Sequence, residues 1–254
     1  MWLWIIWAAW MLAILYLVLF FVSSGKAFQK IKSAEPASSP SDAGVSVILC
    51  AHNELANLKL LLPLLYRQEY SNYEIVVVDD CSTDGTLDFL LAEKEAHPRL
   101  KVVWLRHRPA HIRGKKYPLT LGIRAARYER LLLTDADCQP ASDKWISGMT
   151  ADLNGSGEIV LGYSPYFRRK GLLNTYIRYE TLLTAGLYFS AALRGKPYMG
   201  VGRNLAYQKS LFMRHKGFYG HLHLLGGDDD LFVNRYATAK NTCIVTAPQY
   251  QVHS

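Results

Sequence analysis

Asp135 and Asp137 stand one small residue apart at the end of a leucine run at positions 131–133. An apolar run bounded by turn formers reads as a buried strand, so its end is where the chain leaves the core. Two carboxylates at such an exit are close enough to share one divalent cation. Hard cations, Mg2+ or Mn2+, take carboxylate oxygens and usually share them with substrate phosphates. Either acid is also suited to capping the next helix or turn, so the pair has to be weighed with the rest of the chain. A second acidic group, Asp228, Asp229 and Asp230, precedes an expected helix at 231–239, whose dipole favours acids at its start.

The elements that position these groups alternate. Strands are expected at 45–49, 74–78, 100–105, 130–134 and 243–246, and helices at 57–66, 87–96 and 117–128. Val/Leu/Ile-rich strands separated by helices imply a mostly parallel sheet with helices on both faces. Ligands of such sheets bind beyond the carboxyl ends of the strands. The first strand runs into His52-Asn53-Glu54, the second into Asp79-Asp80, the third into Arg106-His107-Arg108 and then Arg113-Gly114-Lys115-Lys116, and the fourth into Asp135-Ala136-Asp137. Acids, amides and bases therefore meet at one edge. Asp84 reads as a helix cap, His52 as a surface histidine, and Arg106, Arg108, Arg113 and Lys116 as mostly a solvated face.

No Gly-x-Gly-x-x-Gly follows the first strand and no Gly-x-x-x-x-Gly-Lys-Ser/Thr occurs, which counts against dinucleotide redox chemistry and P-loop hydrolysis. A diphosphate would instead be held by a metal on Asp137 and by cations such as Lys115. Four widely spaced cysteines without a Cys-x-x-Cys pair argue against a zinc site and fit a reducing compartment. The formal net charge of +8 suits an anionic neighbour. Nucleic acid is a poor candidate, because the basic residues cluster near carboxylates that would repel its backbone.

Residues 2–22 carry no charged side chain, about the 20 residues that a membrane-crossing helix needs. The start lacks the basic residues of a cleaved signal peptide, so an uncleaved anchor at 1–23 is expected. Lys26, Lys30 and Lys32 follow it and would hold the C-terminal side in the cytoplasm, at the inner membrane. Residues 24–44 read as a basic, then Ser/Pro-rich tether. Residues 45–254 form the remaining domain, with a nucleotide-binding half at about 45–140 and an acceptor half at about 141–254.

Several segments resemble family 2 glycosyltransferases: Val45-Ser46-Val47-Ile48 with Asn53-Glu54, Val77 to Thr86, Gly114-Lys115 with Leu119 and Gly122, and Asp135-Ala136-Asp137. Gly200 to Ala206 is similar to the family's acceptor-side glycine segment, and Lys216-Gly217-Phe218 with Gly226 to Arg235 to the segment carrying its catalytic base. The resemblance implies a GT-A fold, a nucleotide-diphospho-sugar donor (UDP-linked, by family habit), a divalent metal and inversion at the anomeric carbon of a hexosyl group. By position, Glu54 and Asp80 would contact base and ribose, and Asp135 the ribose and phosphates. Asp137 would ligate the metal, Lys115 would sit near the diphosphate, and Gly202 and Asn204 would lie on the acceptor side.

Sugar transfer needs positive charge on the departing diphosphate and a base facing it across the anomeric carbon. Asp228 matches the family base by its distance from Leu231. Gly227 replaces the Glu that normally precedes it, which leaves Asp229 a rival. The family's Gln-x-x-Arg-Trp and later membrane helices are not found before Ser254, so a non-processive type or a fragment is expected, the latter preferred. The acceptor would be a saccharide or a lipid-linked sugar of a cell-surface glycan. A sugar-nucleotide nucleotidyltransferase would place a Gly/Arg-rich loop after the first strand, where His52-Asn53-Glu54 stands. An inactive, membrane-tethered nucleotide-sugar-binding module is the remaining alternative.

Overall fold

The computed structural model describes residues 4–16, 18, 36, 42–107, 114–222, 224 and 226–254. Its frame is a seven-stranded sheet in the order β3-β2-β1-β4-β7-β6-β8, built from β1 (Val45–Ala51), β2 (Tyr73–Asp80), β3 (Leu100–Leu105), β4 (Arg130–Leu133), β6 (Ile159–Gly162), β7 (Leu205–Gln208) and β8 (Thr242–Val245). Only β7 runs against its neighbours β4 and β6; the other pairings are parallel. A short ribbon joins β5 (Gln139–Pro140) to β9 (Val252–His253).

Side chains alternate across the sheet because the strand period is two. Val45, Val47, Leu49, Ile75, Val77 and Leu132 enter one core, with Leu58, Leu62 and Leu65 of α2 (Leu55–Tyr66), Leu90 of α3 (Thr86–Ala96), and Trp145 and Met149 of α5 (Trp145–Thr150). Ile48, Val76, Leu131 and Leu133 enter the other, with Leu119 and Ile123 of α4 (Lys116–Ala125), Tyr188 and Phe189 of α6 (Leu172–Leu193), Phe212 of α7 (Lys209–Arg214) and Phe232 of α8 (Asp230–Tyr236). Helices thus cover both faces, as the buried strands require. Gly122 lets α4 lie close on the sheet: a Cβ there would stand 2.9 Å from methyls of both Ile48 and Val78.

Strand order places β2 and β3 on one side of β1 and β4 on the other. The crevice at the carboxyl ends of β1 and β4 is therefore the topological switch point, where open α/β sheets bind ligands. Most expected elements of the first half are present within a few residues, whereas β6, β7 and α5 were not anticipated.

Residues 4–16 and 18 are helical (α1), with Trp4, Trp7 and Trp10 largely exposed. Among the described residues no helix is long and apolar enough to cross a membrane. The expected span also takes in residues 2, 3, 17 and 19–22, which lie outside the described residues, as does nearly all of the expected tether at 24–44.

Candidate active site

The loops after β1 and β2 are clamped together. The Asn53 amide donates to Ser82 Oγ at 2.9 Å and the Thr83 amide to Asn53 Oδ1 at 2.7 Å. His52 Nδ1–H donates to the Asp80 carbonyl at 2.7 Å. Asp84 serves two helices at once, accepting from the Thr86 amide (3.0 Å) at the start of α3 and the Leu55 amide (3.2 Å) at the start of α2. These bonds, that from Thr86 Oγ1 foremost, hold its carboxyl below the usual range. Asp84 was expected as an N-cap; Gly85 and Glu54 hold those positions, and Asp84 caps both helices from beside them. Asn53 and Cys81 both have φ near +59°, a left-handed geometry that turns each strand end sharply into the cleft.

That cleft, about 330 Å³, is lined by Cys50, His52, Glu54, Asp80, Gly114, Lys115, Asp135 and Asp137. It is the edge that the strand ends were expected to share. Lys115 Nζ forms an ion pair with Asp135 Oδ1, both side chains about a third exposed. Burial pulls the Lys115 ammonium down, but Asp135, Cys50 and Asp228 outweigh it, and the net direction is up. Lys115 therefore stays charged. Burial pushes the Cys50 thiol up to about 12 against the pull of Lys115, helped by Asp135, Asp80 and Asp228, so it is a neutral wall and no nucleophile.

Ligand atoms of Asp135, Asp137 and Cys138 lie within 4.8 Å of one another. Asp137 is exposed at the rim; Cys138 is fully buried. The soft thiol is a poor partner for a hard cation, so the group offers two carboxylates and leaves the remaining positions to phosphate and water. This donor set fits Mg2+ or Mn2+.

The three acids at the start of α8, Asp228, Asp229 and Asp230, divide their work. Asp229 caps α8, accepting from the Asp230 amide at 2.7 Å, and takes the Gly202 amide at 2.8 Å. Asp230 Oδ1 accepts from the Leu231 amide at 2.8 Å. Burial, then the charge of Asp229, raise the Asp228 carboxyl, with Lys115 pulling the other way. Asp228 is thus within electrostatic reach of Lys115 and Asp135. The glycine that replaces the family glutamate, Gly227, has φ +78°, and a Cβ there would come within 2.4 Å of Leu231 Cδ1. A side chain there would be strained by the left-handed backbone and would have to displace Leu231.

Two expectations need correction. Asn204 is fully buried and does not face an acceptor: its Nδ2 donates to the Tyr163 (2.8 Å) and Tyr250 (3.1 Å) carbonyls and its Oδ1 accepts from Trp145 Nε1 at 2.9 Å. It ties three segments together beneath the site. Lys116 belongs to no solvated face; it is 1% exposed, and its Nζ donates to the Leu224 carbonyl at 3.1 Å, which ties α4 to the loop before Asp228. Arg108 and Arg113 lie outside the described residues. Arg203 was not singled out by the sequence reading. Its guanidinium donates to Ser164 Oγ at 2.9 Å and the Tyr166 hydroxyl at 3.2 Å, and it lines a second groove of about 440 Å³ beside α6.

The sequence model of Glycosyl transferase family 2 matches residues 46–216. The chain belongs to that family. The match runs from the second residue of β1 to beyond α7, and so takes in every residue that lines the cleft but not the Asp228 segment. Among curated relatives of this family 2 chain, glycosyltransferase AglE of Haloferax volcanii is 28% identical over 120 residues, 46% of this chain and 38% of its own. Dolichol-phosphate mannosyltransferase of Mycosarcoma maydis is 30% identical over 132 residues, 49% and 43% of the two chains. The chain spans less than half the length of either relative.

Among solved structures, the mannosyltransferase PcManGT of Pyrobaculum calidifontis, in complex with GDP-Man and Mn2+, superposes with a TM-score of 0.68 at 22% identity, over 95% of this chain and 67% of that one. Residues 1–349 of S. aureus TarS in complex with UDP give 0.61 at 20% identity, over 83% and 60%. The family 2 chain therefore has the GT-A-like fold: a mostly parallel sheet flanked by helices.

Proposed function

We propose that the protein is an inverting, metal-dependent hexosyltransferase that moves a sugar from a nucleotide-diphospho-sugar, UDP-linked for preference, to an acceptor hydroxyl. The observation that carries this reading is the cleft at the strand ends, where Glu54, Asp80, Lys115, Asp135 and Asp137 line one pocket. Support for the donor class comes from PcManGT, whose structure holds GDP-Man and Mn2+, and from TarS, whose structures hold UDP or UDP-GlcNAc.

In this mechanism Glu54 and Asp80, at the strand ends, hold the base and ribose. Asp137, with Asp135 beside it, holds Mg2+ or Mn2+, which when bound neutralises charge on the leaving diphosphate. Lys115 adds a second cation there, and preorganised charge of this kind is usually the largest catalytic contribution. Asp228 accepts the proton of the acceptor hydroxyl as its oxygen attacks the anomeric carbon and the sugar–phosphate bond breaks. Its raised carboxyl brings it closer to the optimum for a general base. Gly202 fixes the base segment through Asp229. The acceptor is a saccharide or lipid-linked glycan, and the N-terminal apolar segment anchors the catalytic domain to the cytoplasmic face of the inner membrane. Nucleic acid has no part in it.

The test is donor turnover with and without Mn2+, in the wild type and in Asp137→Asn. Metal-independent turnover, or full activity of the variant, would remove the metal assignment; a melting-temperature screen against nucleotide-sugars would identify the base.

A further inference from the structure

The 22-residue helix α6 is two different objects. Its C-terminal half is core: Ala185, Tyr188 and Phe189 are buried against the sheet. Its N-terminal half lines the second groove through Tyr176, Ile177, Thr181 and Thr184, while on its outer side Leu172, Tyr176, Tyr179 and Leu183 are 90%, 66%, 61% and 38% exposed. Their spacing of four, three and four places them on one stripe of the helix, with Leu173 on its flank, 72% exposed. Nothing in the transferase chemistry uses this stripe. Arg168, Arg169 and Lys170, all exposed, lead directly into it.

We propose that this half of α6 rests on a bilayer bearing anionic headgroups, as a second membrane contact besides the N-terminal segment. An apolar stripe with adjoining cations is what an interfacial helix presents: the stripe enters the acyl boundary while Arg and Lys meet headgroup phosphates. A second copy of the chain is a poorer occupant. The stripe is 12 residues, about 18 Å long, and offers roughly a few hundred Å² per copy, short of the 1,200–2,000 Å² total of a stable interface. Trp4, Trp7 and Trp10, exposed on α1, suit the same neighbour. Docked this way, α6 sets the groove that it shares with Tyr163, Tyr166 and Arg203 next to the lipid surface.

The test reads contact and not turnover, so its outcome and that of the transferase reading are independent. The full chain is reconstituted in vesicles of phosphatidylcholine with phosphatidylglycerol and footprinted with hydroxyl radicals. Residues of one type are compared within one sample: Leu172 against Leu60 of α2 (58% exposed), and Tyr176 against Tyr219 (75% exposed). Docking predicts oxidation of Leu172 and Tyr176 several-fold slower than of these references. It also predicts that protection is lost in the triple variant Arg168→Glu, Arg169→Glu, Lys170→Glu. Oxidation of Leu172 at or above the Leu60 rate overturns the proposal. So does protection that tracks protein density at fixed lipid, or that is unchanged in vesicles of phosphatidylcholine alone.

Discussion

The Gly202 amide donates to Asp229 Oδ2 at 2.8 Å across 27 residues of chain, while Oδ1 of the same carboxylate holds the Asp230 amide at 2.7 Å. Both oxygens of Asp229 are engaged in joining the glycine segment to the start of α8. Asp228, next to it, is raised by burial and by the charge of Asp229, with Lys115 pulling the other way. Asp229 is thereby the structural member of the pair, and Asp228 is the one to test as base.

The two variants should therefore fail differently. Asp228→Asn should lower kcat by about 10²–10⁴, the usual worth of a general base, with donor affinity nearly unchanged. Asp229→Ala should lower stability by about 0.5–2 kcal/mol, as the loss of an N-cap does, and show as a drop in melting temperature. Steady-state kinetics and melting curves on both proteins decide it. An intact kcat in Asp228→Asn would move the base elsewhere.

Asp228 also carries a pH signature in stability. Its carboxyl is raised above its unfolded value by burial and by Asp229. Such a group stabilises the fold while protonated, below its unfolded pKa, and that contribution is lost as pH rises through the folded pKa. The ionised residue is then a net cost at neutral pH. Asp228→Asn should melt higher than wild type at neutral pH, with the difference fading as the pH falls through the carboxylate range. A difference that grows in acid would contradict the assigned shift.

Asp137 offers a readout that does not depend on turnover. A ligand that binds only the folded state at 100 times its Kd adds about 2.7 kcal/mol. UDP with Mn2+ should therefore raise the wild-type melting temperature well beyond UDP alone. Asp137→Asn should lose the metal-dependent part and keep most of the rest, because Lys115 and Glu54 remain in the cleft. An undiminished Mn2+ effect in the variant would take Asp137 out of the metal site.

The first half of the domain, residues 45–140, was legible because its signals are local. A β-branched strand such as 74–78, followed by Asp79-Asp80 and the capping cluster at 82–86, announces both the element and the edge where its polar residues land. Residues 141–254 were not. β7 is four residues long and antiparallel within an otherwise parallel sheet, so neither its length nor a β-α-β rhythm betrays it. Asn204 has the composition of a ligand contact, and only its three partners from distant segments reveal a buried clamp. Lys116 misled for a similar reason: a lysine in a basic run reads as solvated until the fold closes Leu224 over it. Gly227 is the converse case. Its departure from the family pattern looked like a loss, and the φ of +78° with Leu231 behind it explains why glycine stands there.

Tyr207 gives the last prediction, because its two ends disagree. The ring is well used: it stacks on Phe212 at 6.2 Å and meets Phe232 at 4.8 Å. The hydroxyl is buried with no hydrogen-bond partner among the described residues, and burial first, then Asp228 and Cys50, push it well above its ordinary range. A buried polar atom left unpaired costs about 1–3 kcal/mol, whereas removing it with no change of shape is nearly neutral or stabilising. Tyr207→Phe keeps the aromatic contacts and deletes the orphaned oxygen, so the variant should melt at or above the wild-type temperature. Its kcat should stay within about twofold, because no hydrogen bond from this hydroxyl orients Asp228 and the general-base contribution is kept. A large fall in kcat with stability unchanged would instead mean that the Tyr207 hydroxyl donates to Asp228 during the reaction, and kinetics on this single variant separate the two.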